Sequence, residues 1–553
     1  MLKTTVKQNG ILKKNNFVRI TACFCALIIL AASLFTNAYT VAADSENFDI
    51  ESYDDYFSSV SKSAEASDTE IKVINNVTEI KKSEEISVEI NAATSGFYTF
   101  KTDYSVIEDT NEIKLYAKID GITPYKELSN ISLPVYYEDT NKDKKDNLGN
   151  EIAADTAVKL GRYTYILRNT NNTDFLYTFL EAGNHEVTIK SLTADFVINS
   201  LTFSGVPEIL SYKEYAQKHN QEKIYNAYKF IEGEDAALKS SNDLIQLIDN
   251  ASANVNPNSA SHDVVNYIGG SNYDQPGDSI IWEIEAPQSG LYEIGLNYRQ
   301  NFTENSYFYR MLYIDGKLPF KEAAEIEFPF ALNWTFKTLS DNNGVPYLFY
   351  LEKGKHIIEL NVTLGQLSDV SLMLEDTGKE LASIYRSIVM ITGDTPDANR
   401  DYNLFDRIES LSDKLNSQIK TLKAVNKKLS EVYKSGSVSS ISTVNGMINV
   451  LELMLGNKYS AHRYLNRYYD NYASLSSMSM ELKSMPLDID RIYFGNNIKN
   501  TKAKFIDRTL FSVKRFIHSF KNDYNTSSSA DGPTITLWVN WGRDQAKTLK
   551  YLI

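Results

Sequence analysis

The sequence predicts a multidomain chain of β and α type. Two antiparallel, jelly-roll-like β-sandwiches come first, then a helical hairpin or bundle, then a short β-α stub. Three observations carry this expectation. A set of turn-bearing anchors occurs twice, in the same order, between residues 86 and 356. Beyond about residue 376 the hydrophobic period changes from two to steps of three and four. The length, 553 residues, leaves room for about three or four domains.

Composition narrows the function classes. Hydrophobic residues at 42% and charged residues at 23% suit a chain that buries cores, and exclude a wholly disordered or multi-span membrane protein. Lys and Arg number 57 against 71 Asp and Glu, a net charge of -14. A nucleic-acid partner needs a basic footprint, which this balance does not supply.

Residues 1–43 read as a secretory signal or an uncleaved membrane anchor. Lys3, Lys7, Lys13, Lys14 and Arg19 precede an apolar run from Ile20 to Phe35. Val41 and Ala43 stand at the −3 and −1 positions of a cut before Asp44. Both cysteines, Cys23 and Cys25, lie inside this segment, at the start of the apolar run rather than at its end, where a lipidated cysteine stands. Cleavage would leave a chain with no thiol chemistry and no disulfides. Residues 44–80 are acidic and Ser-rich and read as a flexible tether.

The repeat spans 81–207 and 208–375. Ile86–Ile90 with Ser95-Gly96-Phe97-Tyr98 matches Ile281–Ile284 with Ser289-Gly290-Leu291-Tyr292. Ile119-Asp120-Gly121 matches Ile314-Asp315-Gly316, and Gly183-Asn184-His185 matches Gly354-Lys355-His356. Ser-Gly and Asp-Gly supply the positive φ of hairpin turns. Alternation at Val187/Ile189 and Ile358/Leu360 turns every second side chain inward. The first copy carries a charged insert around Asn141–Asn150, expected as an exposed loop.

The second copy resembles carbohydrate-binding modules of families six and thirty-five. The matching stretches are Ile231-Glu232-Gly233-Glu234-Asp235, Ile268-Gly269-Gly270, the Trp282 strand, Gly290-Leu291-Tyr292 and the Gly354-Lys355-His356 hairpin. The resemblance covers about 228–374; the first copy lacks the Glu-x-Glu opening and the Ile-Gly-Gly turn. It implies a jelly-roll sandwich that binds sugars through loops at one end. Trp334 stands where the family places its stacking aromatic, Tyr163 is its repeat partner, and Tyr273 is a second aromatic candidate. The alternative for Trp334 is a plug at the end of its own sandwich; Trp282, within a strand, reads as core. The resemblance also implies a structural calcium ion held by Glu232 and Glu234, with Asp369, before an expected closing strand Ser371–Leu374, as a third oxygen ligand. The alternative is a solvated acidic strand edge.

Catalysis has little support. The six histidines show no metal-ligand spacing, and neither a nucleophile elbow nor a phosphate-binding glycine loop appears. His185 and His356 read as turn residues.

Region 376–525 is helical. Leu404, Ile408, Leu411, Leu415, Leu422, Val425, Leu429 and Val432 form a stripe with Gln418 in its seam. Met447–Leu455 and Leu510–Phe520 are further apolar helical stretches. The readings are an intramolecular bundle, or a dimerising coiled coil or docking arm. Residues 526–533 are a linker by composition. Residues 534–553 alternate at Ile535, Leu537 and Val539 and then turn helical after Arg543-Asp544-Gln545. This resembles the opening β-α unit of an extracellular solute-binding protein of an ABC sugar transporter. One such unit cannot bury its own faces; the alternative is that this end adds a strand and a helix to the helical region.

The expectation is therefore an exported, non-catalytic carbohydrate-binding protein on a bacterial surface, with glycan and an ABC permease as partners. N-terminal membrane contact is expected if the signal is uncleaved. The alternatives are a structural or adhesive scaffold, and the accessory portion of a carbohydrate-active enzyme.

Overall fold

In the computed structural model, alternating strands assemble into antiparallel sheets, and a helical bundle interrupts the second pair. The structure describes residues 50–520 apart from 51, 61–69, 75, 147–148, 206–208, 305, 434–438 and 499–502. The expected signal segment, the linker and the 534–553 stub lie outside these residues.

The first sandwich stacks two sheets. One runs Ile71–Ile74, Phe196–Ser204, Gly96–Val106, Tyr177–Leu180, with Thr78–Ile80 and Gly161–Ile166 attached. The other runs Glu85–Ala92, Gly183–Ser191, Ile113–Ile119, Ile131–Leu133. Between them lies a core that includes Tyr98, Phe100, Leu115, Ile189 and Leu201. The Asp-Gly turns form as expected. Asp120 and Gly121 have φ of 51° and 78°, Asp315 and Gly316 of 51° and 71°, a pair of positive values that glycine and aspartate tolerate best.

Within the tether expected over 44–80, the described residues are largely structured rather than flexible. Helix α1 (Tyr53–Val60) docks on the first sandwich, and Ile71–Ile74 and Thr78–Ile80 are strands of it. The Tyr53 and Tyr56 hydroxyls accept the backbone N–H groups of Tyr177 and Phe179 at 3.1 and 2.8 Å. Helix α2 (Tyr212–Lys218) repeats this device on the second sandwich: Tyr212 and Tyr215 accept from Leu348 and Tyr350 at 3.0 and 2.8 Å. Ser52 and Ser211 each accept the N–H three residues on and cap these helices.

The second sandwich takes a strand from far along the chain. After the Gly354–Thr363 strand the chain enters α3 (Ser368–Thr392), so Ser371–Leu374 are helical rather than the closing strand expected. The buried positions Val370, Leu374, Leu381, Ile384 and Ile388 follow the helical period. Short α4 (Leu404–Arg407), α5 (Leu411–Val432), α6 (Ser439–Gly456) and α7 (Leu465–Lys483) follow. α5 and α7 flank both α3 and α6, closing a four-helix bundle. The α5 stripe, including Gln418, is buried inside it, so this stripe is bundle core rather than an outward-facing coiled-coil seam. The chain then returns as Leu487–Gly495, between Tyr267–Gly270 and Gly290–Gln300, with Tyr228–Glu232 also paired to it. The boundary expected at 375 therefore does not separate sandwich from helices, because the helical region expected over 376–525 contains the sandwich strand Leu487–Gly495. Arg310, wholly buried, fastens the return: its Nη2 donates to the carbonyls of Met485 at 2.6 Å and Tyr273 at 3.0 Å. One core runs from Trp282 and Leu360 through Leu364 and Leu367 into the bundle.

The insert of the first copy joins the two sandwiches. Tyr137–Thr140 and Asp155–Val158 extend the sheet Ile326–Pro329, Tyr307–Ile314, Gly354–Thr363, Ser279–Ala286, Leu238–Lys239. Lys239 and Asp139, both almost fully buried, form an ion pair across this junction. Helix α8 (Phe505–Ser519) ends the described chain.

Candidate functional site

The outer face of the sheet centred on Leu487–Gly495 carries two of the residues the sequence pointed to, Trp334 and Glu232. Along that strand Leu487, Ile489, Ile492 and Phe494 point into the core, and Arg491 and Tyr493 to the other side.

Trp334 lies on this face, in the Ala331–Thr338 strand, but only 2% of it is exposed. Its Nε1–H donates to Asp249 Oδ2 at 2.7 Å. Arg299 sits over its ring at 4.7 Å, and Tyr267 meets it edge-on at 5.4 Å. Arg299 in turn donates to Asp249 at 2.9 Å and Asp488 at 2.8 Å. The indole is a locked part of a hydrogen-bonded network under the 248–266 loop, with no face free for a sugar. Tyr273 is fully buried: its hydroxyl donates to the Leu360 carbonyl at 2.6 Å, and the Arg310 guanidinium lies over its ring at 4.3 Å. Tyr163 is half-buried in the first sandwich, donates to the Lys159 carbonyl at 2.7 Å and packs on Tyr136 at 4.9 Å. Burial, with the charge of Glu138, pushes its phenol up to about 12. The three aromatics are not brought together, and packing rather than display explains each.

The expected calcium ligands are also apart. Asp369 is in the first turn of α3, exposed and paired with Lys428. Glu232 engages Arg491 through both carboxylate oxygens, one contact at 2.5 Å. Glu234 is buried, and its Oε2 has no hydrogen-bond partner. Burial foremost, then the charges of Glu232 and Asp490, pushes Glu234 up to about 9. Asp490 rather than Asp369 is its acidic neighbour: Gly233 N–H donates to the Asp490 carbonyl at 2.6 Å. Burial raises Asp490 to about 7, against hydrogen bonds from Asn256 and Asn297. Among the described residues no group of three or more His, Cys, Asp or Glu is arranged to hold a metal ion.

His185 and His356 are equivalent and structural. Each Nδ1 lies 2.7 Å from the aspartate of the Asp-Gly turn, Asp120 or Asp315, and each Nε2 meets a backbone carbonyl, of Glu181 at 2.8 Å or Glu352 at 2.7 Å.

The exposed aromatics of this face were not among the sequence candidates. Tyr228 and Phe230 are 37% and 48% exposed on the Tyr228–Glu232 strand. Their rings stand 6.1 and 5.8 Å from Tyr493, which Phe336 meets edge-on at 5.5 Å. Arg491 lies over Phe230 at 4.5 Å while holding Glu232. The result is a shelf of aromatic rings edged by an ion pair, a surface that offers both C–H stacking and oriented polar groups. The alternation Tyr228-x-Phe230-x-Glu232 was a readable signal for one shared face. Its partners Arg491 and Tyr493 are more than 250 residues away and arrive only through pairing.

Residues 371–467 match the family described as bacterial solute-binding protein, four-helix bundle domain. The matched span covers α3, α5 and α6 and the opening of α7. Solved structures similar to parts of the chain include a family 35 carbohydrate binding module from Clostridium thermocellum, at 18% identity over 25% of this chain and 86% of that one, with a TM-score of 0.17. Another is a family 35 module from Cellvibrio japonicus, at 18% identity over 24% and 82%, TM-score 0.18. A cycloisomaltooligosaccharide glucanotransferase from Paenibacillus sp. is 21% identical over 25% of this chain, TM-score 0.19. The chain spans only 17% of that enzyme's length. No curated protein matches the chain. Among the described residues no helix is long and apolar enough to cross a membrane.

Proposed function

We propose that this chain is an exported, non-catalytic glycan-binding protein that serves as the front portion of an ABC-type solute-binding protein. The observation that carries the reading is the bundle at 371–467, which is similar to a domain of bacterial solute-binding proteins and is inserted directly into a β-sandwich. Glycan is met at the Tyr228–Phe230 shelf by reversible stacking, with Arg491 and Glu232 as polar partners. Trp334 has the supporting role of holding the face in shape. Calcium, the structural ion expected, would rest on Glu234, whose buried Oε2 has no hydrogen-bond partner, because Glu232 is already engaged by Arg491 and Asp369 by Lys428. The scaffold reading is favoured by one feature, the continuous sheet that the Lys239–Asp139 pair locks across both sandwiches.

Titration calorimetry with soluble xylo-, manno- and gluco-oligosaccharides tests the proposal. Phe230→Ala is expected to weaken binding several-fold, since an aromatic stacking contact contributes about 0.5–1.5 kcal/mol, without changing the melting temperature. Trp334→Ala is expected to lower stability instead, by about 3–5 kcal/mol. Binding that survives the combined Tyr228→Ala/Phe230→Ala change would remove the shelf as the site. No binding by any sugar would leave the scaffold reading.

A further inference from the structure

Lys239 and Asp139 meet where the two sandwiches share a sheet. The Leu238–Lys239 strand is two residues long and pairs with the Tyr137–Thr140 strand at one position, Lys239 opposite Tyr137. Asp139 lies two residues beyond Tyr137, so its side chain leaves the strand on the face that carries Lys239. On the other flank Lys239 is paired with Ile280, which is wholly buried. Lys239 Nζ faces Asp139 Oδ1, and both side chains are 1% exposed. Asp139 Oδ2 is buried as well and has no hydrogen-bond partner. The Lys144–Asp155 and Lys423–Glu452 pairs differ, since every side chain in them is at least 43% exposed. For a buried pair, attraction outweighs lost hydration only when the remaining lone pairs are also satisfied. Here one oxygen is left over.

We propose that Lys239 and Asp139 condense to an amide, a covalent cross-link between the two sandwiches. The ion pair is the state before the bond forms. A proton passes from the ammonium to the carboxylate, and the freed amine attacks Cγ. The Nζ–Cγ bond forms and one Cγ–O bond breaks. That oxygen leaves as water with two of the three ammonium protons, and the third stays on the amide nitrogen. Atoms and charge balance with no further reactant. Three arguments support the step. Nucleophile and electrophile are held in contact by packed strands, and well-oriented intramolecular reactions reach effective molarities of about 10⁵–10⁸ M. Two buried charges become one neutral amide, and the unsatisfied carboxylate loses an oxygen. The site is closed to solvent, so the water released is not at hand to reverse the reaction. The amide would tie the first sandwich to the second independently of the chain between residues 139 and 239, and would restrict the unfolded chain as any long-range cross-link does.

Mass and peptide mapping test the bond, because denaturation separates an ion pair and leaves an amide intact. The full chain, folded and then denatured, is expected to weigh one water less than the sequence read from its own N-terminus. Trypsin is expected to lose its cleavage after Lys239, and residues 127–142 to emerge joined to residues 230–299 in one branched peptide. Lys239→Arg keeps a cation beside Asp139 but removes the nucleophile, and is expected to show the full mass and linear peptides. The exposed Lys144–Asp155 and Lys423–Glu452 pairs are internal controls, expected to stay unlinked. Full mass in the unmodified folded chain, with ordinary cleavage after Lys239, would overturn the proposal without recourse to any variant. So would a water loss that maps to Asp120-Gly121 or Asp315-Gly316, where an aspartate can close on the next backbone nitrogen, and not to Lys239.

Discussion

Tyr56 and Tyr215 occupy the same place in the two sandwiches. Each projects from a Ser-capped helix, and each hydroxyl accepts a backbone N–H from a strand, Phe179 or Tyr350, at 2.8 Å. Their helical neighbours do likewise one turn earlier, and the rings pack on Tyr125 in one copy and Phe320 in the other. Deleting the Tyr215 hydroxyl leaves the Tyr350 N–H without its acceptor. Tyr215→Phe is therefore expected to cost about 1–2 kcal/mol in urea unfolding, with Tyr56→Phe showing a similar loss. A loss near zero at both would mean that solvent replaces the hydroxyls freely.

The two histidines make stability pH-dependent. Partial burial by itself favours neutral rings, but hydrogen bonds to Asp120 and Asp315, to the carbonyls of Glu181 and Glu352, and the charges nearby hold both above the ordinary imidazole value. Both ring nitrogens face acceptors, which only the doubly protonated ring satisfies. A raised folded value means the contribution is complete below the unfolded pKa of about 6.5 and fades as pH rises through the folded one. The melting temperature is expected to fall between about pH 6 and pH 8, and Asp120→Asn/Asp315→Asn to flatten that fall.

Glu234 acts over a wider window. Its carboxyl, pushed up to about 9 by burial, stays protonated in the fold where the unfolded chain would ionise. The folded state then binds the extra proton, so stability declines as pH rises from the unfolded value of about 4.5 toward 9. Glu234→Gln is expected to remove this decline and to equal or exceed the parent at pH 8. Millimolar calcium at pH 8 is expected to raise the parent's melting temperature and leave Glu234→Gln unmoved. Equal response in both proteins would take calcium away from this residue.

The Lys239–Asp139 pair offers a test of the junction. Both side chains are about 1% exposed, so Lys239→Met leaves Asp139 buried beside an apolar group. The expected cost is about 3–5 kcal/mol. Replacing both, as Lys239→Met/Asp139→Leu, is expected to recover most of it. Differential scanning calorimetry distinguishes a lost junction, with two separated transitions, from a uniformly weakened fold.

Much of the architecture is written locally. Asp120-Gly121 and Asp315-Gly316 adopt the positive φ that their residue types favour. The spacing of Leu411, Leu415, Leu422 and Leu429 yields a helix whose stripe is buried. The α1 and α2 helices escaped notice because eight and seven residues of mostly polar composition carry too little periodicity, although Ser-Tyr-x-x-Tyr opens both. The candidate site was harder. Trp334 and Tyr273 have the right chemistry for stacking on sugars, but ring type does not report exposure, and Asp249 and Arg310 enclose them.

By itself the sequence determined the repeat, the hairpin turns, the helical period beyond residue 376 and the acidic net balance of the chain. These depend on near neighbours, on backbone preference and on composition. Only the tertiary structure decided that Leu487–Gly495 completes the second sandwich, that Tyr137–Thr140 and Asp155–Val158, on either side of the insert, continue its sheet, and that Tyr228 and Phe230 share a face with Arg491 and Tyr493. Strand pairing is set by hydrogen bonds between segments hundreds of residues apart. An alternating strand carries the same pattern whichever partner it finds, so its neighbours, and the surface they make together, exist only once the chain has folded.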